Sequence, residues 1–245
     1  KMCDENTICV VPIAGVTWTG MNDDIEGLND ALEKYNKKTG YDIPIHVDAA
    51  SGGFILPFLY PEKKWDFRLK WVLSISTSGH KYGLVYPGLG WVIWKDKKYL
   101  PSEMAFSVNY LGADITQVGL NFSRPAAQVL GQYYQFIRLG FQGYKAIQQN
   151  SMEIAEYLHE EIGKMPQFKN YSSELVNPLF IWSLNPKYDK VANWTLYDLQ
   201  YKLQQNGWMV PAYTLPKDLE QCVVMRIVCR QGFSRDMADM LLTDI

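Results

Sequence analysis

The chain has 245 residues, of which 47% are hydrophobic and 20% charged, proportions that are typical of a globular protein and argue against intrinsic disorder. Its 24 basic and 26 acidic residues give a formal net charge of −2 without a long run of either sign, so we expect neither a nucleic-acid surface nor a polybasic membrane patch. The apolar stretches are far shorter than the ~20 residues of a transmembrane helix, so we expect no membrane partner.

The four cysteines are not arranged as metal ligands, because none belongs to a C-x-x-C pair. We expect them to be free thiols, we expect no metal site, and we predict a cytoplasmic location, since no signal peptide is recognisable. An apolar strand is predicted almost at the start of the chain and an uncapped helix at its end, so we also expect a longer parent protein.

The first fifty residues predict a strand–helix–strand unit, with elements over residues 7–13, 24–38 and 43–47. Asn22 or Asp23 is expected to cap the helix, and Gly40 to end it. The second strand closes at Asp48. This order favours parallel strands in an α/β protein.

The rest of the chain predicts further strands and helices. Strands are expected over residues 71–76, 89–94, 179–184, 208–210 and 223–230. Helices are expected over residues 124–138 with Pro125 in the first turn, and over 144–164, 195–205 and 236–242. We predict two domains, residues 1–150 and a smaller α/β unit of residues 151–245.

Two strand ends carry the residues that point to chemistry. Asp48 ends one strand in HVDAASGGF (residues 46–54), and Lys81 follows another in SISTSGHKYG (residues 74–83). Ligands of open α/β sheets bind at the carboxyl edge of the strands, so these side chains can meet in one crevice. Taken singly, such an aspartate is usually a cap or turn former and such a lysine a solvated surface group; only the combination indicates a site.

An aspartate and a lysine in one crevice suit pyridoxal 5′-phosphate. A lysine can hold the cofactor aldehyde as a Schiff base, and a buried carboxylate keeps the pyridine nitrogen protonated, which the electron sink requires. Phosphate oxygens need hydroxyl groups, N–H groups or cations, and Ser76, Ser78 and His80 flank the lysine.

The sequence resembles pyridoxal-dependent decarboxylases of the glutamate decarboxylase group over essentially its whole length. HVDAASGG and SGHK are the most specific motifs. Others are GVTWTG, WDFRL, GWVIW, NYLGA, NFSRP, QYYQFIRLG, GWMVPAYT and VVMRIVCRQGFSR. The resemblance implies the aspartate-aminotransferase fold (fold type I), with the second half of its large domain followed by a small C-terminal α/β domain.

The resemblance also implies roles for individual residues. The catalytic residues would be Lys81, which bonds to the cofactor aldehyde, Asp48, which pairs with the pyridinium, and His80, which contacts the cofactor. Arg226 would bind the substrate α-carboxylate, and Arg230, four positions further along the same predicted strand, is the competing candidate.

Four further residues would bind the cofactor if the resemblance holds. Ala50 would lie against one face of the ring and Thr17 would contact the cofactor. Ser78 would lie near the phosphate, and Ser123 would reach the phosphate of a neighbouring subunit. The site would then be shared between the chains of a homodimer or a larger homo-oligomer.

The activity that the resemblance implies is the conversion of L-glutamate to 4-aminobutyrate and carbon dioxide. Three alternatives stay open at this point: a sphingosine-phosphate lyase-like enzyme, an aromatic amino-acid decarboxylase, and a catalytically dead assembly subunit. The presence of both Lys81 and Asp48 argues against the last. The Gly79, WDFRL and NFSRP features favour the glutamate decarboxylase group over the lyases.

Overall fold

The computed structural model describes residues 2–108, 112, 115–118, 124–171 and 174–245. Within them the helices are α1 (Ile25–Thr39), α2 (Leu56–Leu59), α3 (Ala127–Lys164), α4 (Pro186–Asp189), α5 (Leu196–Gln205) and α6 (Arg235–Asp244). The strands are β1 (Ile45–Asp48), β2 (Val72–Ser78), β3 (Gly90–Trp94), β4 (Phe106–Val108), β5 (Ile115–Gln117), β6 (Phe168–Asn170), β7 (Leu179–Leu184), β8 (Ala212–Thr214) and β9 (Val223–Val228).

The first sheet has the order β1-β2-β3, in which β1 and β2 are parallel and β3 is antiparallel to β2. The predicted strand over residues 7–13 is only partly formed. It pairs in parallel with β1 through two isolated bridges, Val10 with Ile45 and Ile13 with Asp48. Pro12 explains the gap between the bridges, because it accepts a hydrogen bond from the Asp48 amide but has no N–H to donate.

Helix α1 confirms the predicted helix but corrects its cap. Asp24 is the N-cap and accepts a hydrogen bond from the Gly27 amide at 2.9 Å. Asp23 cannot serve as the cap because its carboxylate accepts from the Ile13 amide at 2.7 Å. Gly40 ends the helix in the left-handed conformation with φ +80°, as expected.

Helix α3 joins the two predicted helices into one 38-residue element with a kink at Gly140, where φ is +56° and ψ −167°. The helix begins at Ala127, so Pro125 precedes it instead of occupying its first turn. A proline disfavours helical backbone at the residue before it. Ala126, the residue after Pro125, is already near-helical and forms the N-cap. The domain boundary predicted near Asn150 falls inside this helix, and the division into two domains stays a prediction.

The second large sheet is antiparallel and has the order β6-β7-β9-β8. The strand predicted over residues 208–210 is wrong; β8 starts at Ala212. The Trp208 amide instead bonds back to the Leu203 carbonyl at the end of α5, and the Trp208 indole donates to Asp244. Strand β6 was not predicted, because its three residues carry no clear alternation.

The core is built from separate clusters of buried side chains. One lies between α1 and the β1–β2 pair and includes Leu32, Val47 and Val72. Another packs the C-terminal part of α3 on the second sheet and includes Leu158 and Trp182. Mixed helices and sheets of this kind agree with the expected α/β class. In the described part of the chain, no helix is long and apolar enough to cross a membrane.

Candidate active site

Asp48 is the last residue of β1 and lies opposite Ser76 of the parallel strand β2. Its side chain is partly buried and accepts a hydrogen bond from the Ala50 amide at 3.0 Å. This contact turns the chain into the glycine-rich segment that follows β1. The carboxylate therefore lies at the carboxyl edge of the sheet, as the sequence predicts.

Lys81 lies in the loop that follows β2, and its Nζ is 3.3 Å from the Ser51 hydroxyl. Ser51 belongs to the glycine-rich segment after Asp48, so this contact joins the two strand ends. A backbone hydrogen bond from Ser78 to the Ala50 carbonyl at 3.2 Å ties the same segments together. Within the described residues Lys81 makes no ion pair, so its amine is available for other chemistry.

Lys81 lines a cavity of about 160 Å³ that lies between the two large sheets. The cavity brings together residues from the first loop, the two strand-end segments and the second sheet. Its lining residues are Thr17, Ser51, Lys81, Tyr82, Leu179, Arg226, Val228 and Arg230. A lysine amine and two guanidinium groups thus face one small space, which suits an anionic ligand.

Arg226 on β9 is the better placed of the two candidate arginines. Its Nη1 donates to the Thr17 carbonyl at 2.7 Å, whereas its buried Nε has no hydrogen-bond partner among the described residues. Arg230 lies beyond β9, is exposed, and makes only a long contact of 3.5 Å from Nη2 to the His80 carbonyl. A buried unpaired donor is costly, so Arg226 is suited to receive a ligand carboxylate.

His46 lies two residues before Asp48 and therefore on the same face of β1. Its Nδ1 is 2.8 Å from the Ser74 hydroxyl and its Nε2 is 3.2 Å from the Ser76 hydroxyl. Burial lowers the pKa of His46, against the opposing effect of the Asp48 charge. A neutral imidazole held by two serines therefore lies beside the aspartate.

The residues present fit pyridoxal phosphate. Lys81 has an amine without a charged partner, and Asp48 has a carboxylate whose one side-chain hydrogen bond within the described residues leaves acceptor capacity for a pyridinium N–H. These are an acceptor and a nucleophile that such a cofactor requires.

The structure brings only some of the predicted site residues to the cavity. Three of them, Lys81, Thr17 and Arg226, line it, while the others border the same segments: Asp48, Ala50, Ser78 and His80. His80 places its Nδ1 3.4 Å from the Leu89 carbonyl. Ser123 lies outside the described residues. Ser51 and His46 carry no predicted role, although both lie in the HVDAASGGF motif.

Comparisons with known proteins show the family to which the chain belongs. Residues 1–184 match the family described as "Pyridoxal-dependent decarboxylase conserved domain". The chain is 52% identical over 241 residues to a glutamate decarboxylase beta of Listeria monocytogenes, covering 98% of this chain and 52% of that protein. It is 51% identical over 245 residues to glutamate decarboxylase 5 of Arabidopsis thaliana, covering 100% and 49%.

Solved structures show the same fold. A glutamate decarboxylase of Lactobacillus brevis has a TM-score of 0.94 and 48% identity, with 99% of this chain and 54% of that chain covered. A sphingosine-1-phosphate lyase of Burkholderia pseudomallei has a TM-score of 0.78 at 24% identity, with 99% and 52% covered, a likeness in fold alone. The chain spans about half the length of the relatives it matches.

Proposed function

Because the chain belongs to the pyridoxal-dependent decarboxylase family, we propose that it supplies the reactive lysine, the aspartate and the carboxylate-binding arginine of a glutamate decarboxylase. The reaction converts L-glutamate to 4-aminobutyrate and carbon dioxide. The observation that carries this proposal is the common cavity of Lys81, Thr17 and Arg226 beside the strand end at Asp48. About half of the residues are identical to those of glutamate decarboxylases of bacteria and plants, and this similarity supports the choice of substrate.

Each residue of the site has a task in this reaction. The amine of Lys81 would hold the cofactor through its aldehyde and would give it up to the substrate amine. The carboxylate of Asp48 keeps a proton on the pyridine nitrogen, because opposite charges attract strongly away from water. When bound, pyridoxal phosphate supplies the electron sink for the electron pair that carbon dioxide leaves on Cα. Cα then takes up a proton in place of the lost carboxylate.

Arg226 orients the substrate. A guanidinium group binds a carboxylate through two parallel charge-assisted hydrogen bonds, which fix the plane of the carboxylate and the direction of its bond to Cα. By fixing that direction, Arg226 would decide which bond of Cα is presented to the cofactor for cleavage. Thr17, Ala50, Ser78, His80 and, from a neighbouring subunit, Ser123 complete the proposed cofactor site.

The proposal includes assembly and location. The enzyme forms a homodimer or larger homo-oligomer, which is consistent with the broad exposed apolar face of helix α3. The enzyme is cytoplasmic, a location that four free cysteines favour.

Product analysis of the intact enzyme tests the proposed function. The enzyme is supplied with pyridoxal phosphate and is then incubated in separate reactions with glutamate, aspartate or an aromatic amino acid. We expect 4-aminobutyrate and carbon dioxide from glutamate, no comparable turnover of the others, and no product from a Lys81→Ala control. Preferential turnover of the aromatic amino acid, or no turnover of any substrate despite bound cofactor, would refute the assignment.

A further inference from the structure

Tyr213 connects the candidate carboxylate-binding arginine to the rest of the site. It lies in β8, which pairs with β9, the strand that carries Arg226. The guanidinium carbon of Arg226 lies 5.7 Å from the centre of the Tyr213 ring, within the distance of a cation–π contact. The arginine is therefore held from one side by an aromatic ring on the neighbouring strand.

The same tyrosine also holds the loop of residues 15–20. Its hydroxyl donates to the Trp18 carbonyl at 3.0 Å, and its ring meets the Trp18 ring edge-on with centroids 5.2 Å apart. The adjacent carbonyl, that of Thr17, accepts from Arg226 Nη1. Two consecutive carbonyl groups of one loop thus bind the phenol and the guanidinium, so loop, tyrosine and arginine form one closed cluster.

Burial raises the pKa of Tyr213, although the nearby Arg226 charge opposes this effect. The hydroxyl therefore stays protonated at neutral pH and remains a donor to the Trp18 carbonyl. The cluster keeps its hydrogen bonds over the pH range in which most enzymes are assayed.

The cluster limits which nitrogen atoms of the guanidinium a ligand can reach. Nη1 is engaged by the Thr17 carbonyl, while Nε is buried without a partner among the described residues. Nη2 has neither of these constraints, so a ligand carboxylate can reach the guanidinium through Nη2.

We propose that Tyr213, together with the Thr17 and Trp18 carbonyl groups, is a positioning device that presents Nη2 of Arg226 to the substrate α-carboxylate. This rests on the proposed function. Tyr213 itself touches no reacting atom; it acts through Arg226 and through the loop that carries Thr17.

The test uses three variants of the intact enzyme. Tyr213→Leu removes both the ring and the hydroxyl, Tyr213→Phe removes only the hydroxyl, and Tyr201→Leu on α5 is the matched control at an exposed tyrosine. Binding of glutarate, a dicarboxylate that has no amine to react, is measured by calorimetry. Glutamate KM and kcat and the cofactor absorbance are measured in parallel.

We expect Tyr213→Leu to weaken glutarate binding and to raise the glutamate KM by about fivefold, the size of a lost cation–π contact. Cofactor absorbance and Tyr201→Leu should match the wild type, and Tyr213→Phe should show about a twofold loss through the Trp18 carbonyl alone. If Tyr213→Leu does not fold, Tyr213→Phe decides.

Unchanged glutarate binding and glutamate KM in the folded Tyr213 variants would overturn the positioning role. So would a loss of cofactor with normal glutarate affinity in the remaining holoenzyme, which marks a structural role only. If the wild type fails to decarboxylate glutamate while glutarate binding still depends on Tyr213, the proposed function is wrong and the positioning role stands.

Discussion

Asp48 can make two different contributions at the end of its strand, one as a hydrogen-bond acceptor and one as a charge. Its Oδ1 accepts a hydrogen bond from the Ala50 amide, which shapes the turn after β1. An asparagine can accept the same bond through its own Oδ1 but carries no charge. The turn therefore depends on the shape and acceptor of this side chain, whereas the pyridinium depends on its charge.

Asp48→Asn should accordingly keep the fold and lose most of the activity. A carboxylate and a neighbouring cation shift each other's pKa by roughly 1–3 units. Without the carboxylate charge we therefore expect turnover to fall by about ten- to thousandfold. The measurement is kcat for glutamate, with the thermal unfolding midpoint as the control for the fold. Near-normal kcat would show that Asp48 serves only the turn.

At the scale of single residues, the sequence predicts the site to the extent that strand ends determine it. Asp48 and Lys81 follow adjacent parallel strands, so their convergence could be predicted from element order alone. The contact of Ser51 with Lys81 could not, because it depends on the turn conformation of the glycine-rich segment. The cluster of Tyr213, Trp18 and Arg226 joins residues almost 200 positions apart, and no local pattern signals such a contact.

The connecting loops decide how closely the secondary-structure elements approach at the site. Gly15 has φ +92°, and a Cβ atom there would lie 2.8 Å from the Ser51 Cβ and 3.0 Å from the Gly52 amide nitrogen. Gly40, at the end of α1, has a similar φ of +80° but no atom within 4 Å of such a Cβ. The two glycines thus share a backbone conformation and differ in the available space.

Replacing each glycine by alanine separates these two effects. We expect Gly40→Ala to lower the free energy of unfolding by about 1–2 kcal/mol, the cost of left-handed backbone. Gly15→Ala should lower it by a further ~1–3 kcal/mol through crowding, and should reduce cofactor retention because Ser51 contacts Lys81. Denaturant unfolding of the intact enzyme measures both. Equal losses would show that the first loop can move away from Ser51 without cost.

Glu33 links α1 to the segment that leads into β2. Its carboxylate pairs with Lys37 at 2.7 Å and Lys70 at 2.9 Å, and accepts from the Trp71 indole at 2.7 Å. The bonds to Lys37, then Lys70, then Trp71 lower the pKa of Glu33 from 4.5 to about 2. Since the folded pKa lies below the ordinary value, this stabilisation is complete above about pH 4.5 and is lost as the pH falls towards 2.

Glu33→Gln should therefore lower the thermal unfolding midpoint at neutral pH, and the difference from the wild type should shrink below pH 4.5. Glu26→Gln is the matched control, because Glu26 also lies on α1 and, among the described residues, pairs with a single lysine, Lys64. A difference that stays constant from neutral pH to pH 3 would show that the charge of Glu33 does not stabilise the fold.

Element order was more predictable than element boundaries. The helices α1 and α5 and the strands β1, β7 and β9 lie where apolar periodicity places them, because burial of one face produces that periodicity. The strand at residues 208–210 was wrong because those residues turn back onto α5. The interruption of residues 7–13 at Pro12 depends on which N–H groups the neighbouring strand requires, and periodicity carries no such information.

At the scale of the whole molecule, the N-terminal part of α3 presents an apolar face without cover from the described residues. The side chains at positions i, i+3, i+4 and i+7 are between 60% and 68% exposed: Leu130, Tyr133, Tyr134 and Ile137. Isolated exposed apolar residues are common, but a contiguous helical face of this size is typical of an interaction surface.

A protein of residues 1–245 alone should therefore self-associate through this face. We expect the double substitution Leu130→Lys and Ile137→Lys to reduce its association in sedimentation velocity. Val191→Lys and Met209→Lys, at exposed apolar residues away from α3, are the control and should change little. If both pairs have the same effect, general hydrophobicity and not the α3 face governs association.

The central claim is that Lys81 is the residue to which pyridoxal phosphate is attached. Borohydride reduction of the intact holoenzyme, followed by proteolysis and mass spectrometry, fixes the cofactor on its lysine and identifies the labelled peptide. We expect the label on the peptide that contains SGHKYG, at Lys81, and its absence after substrate amine has displaced the lysine before reduction. Label on Lys70 or Lys95, or on no lysine of this chain, would contradict it.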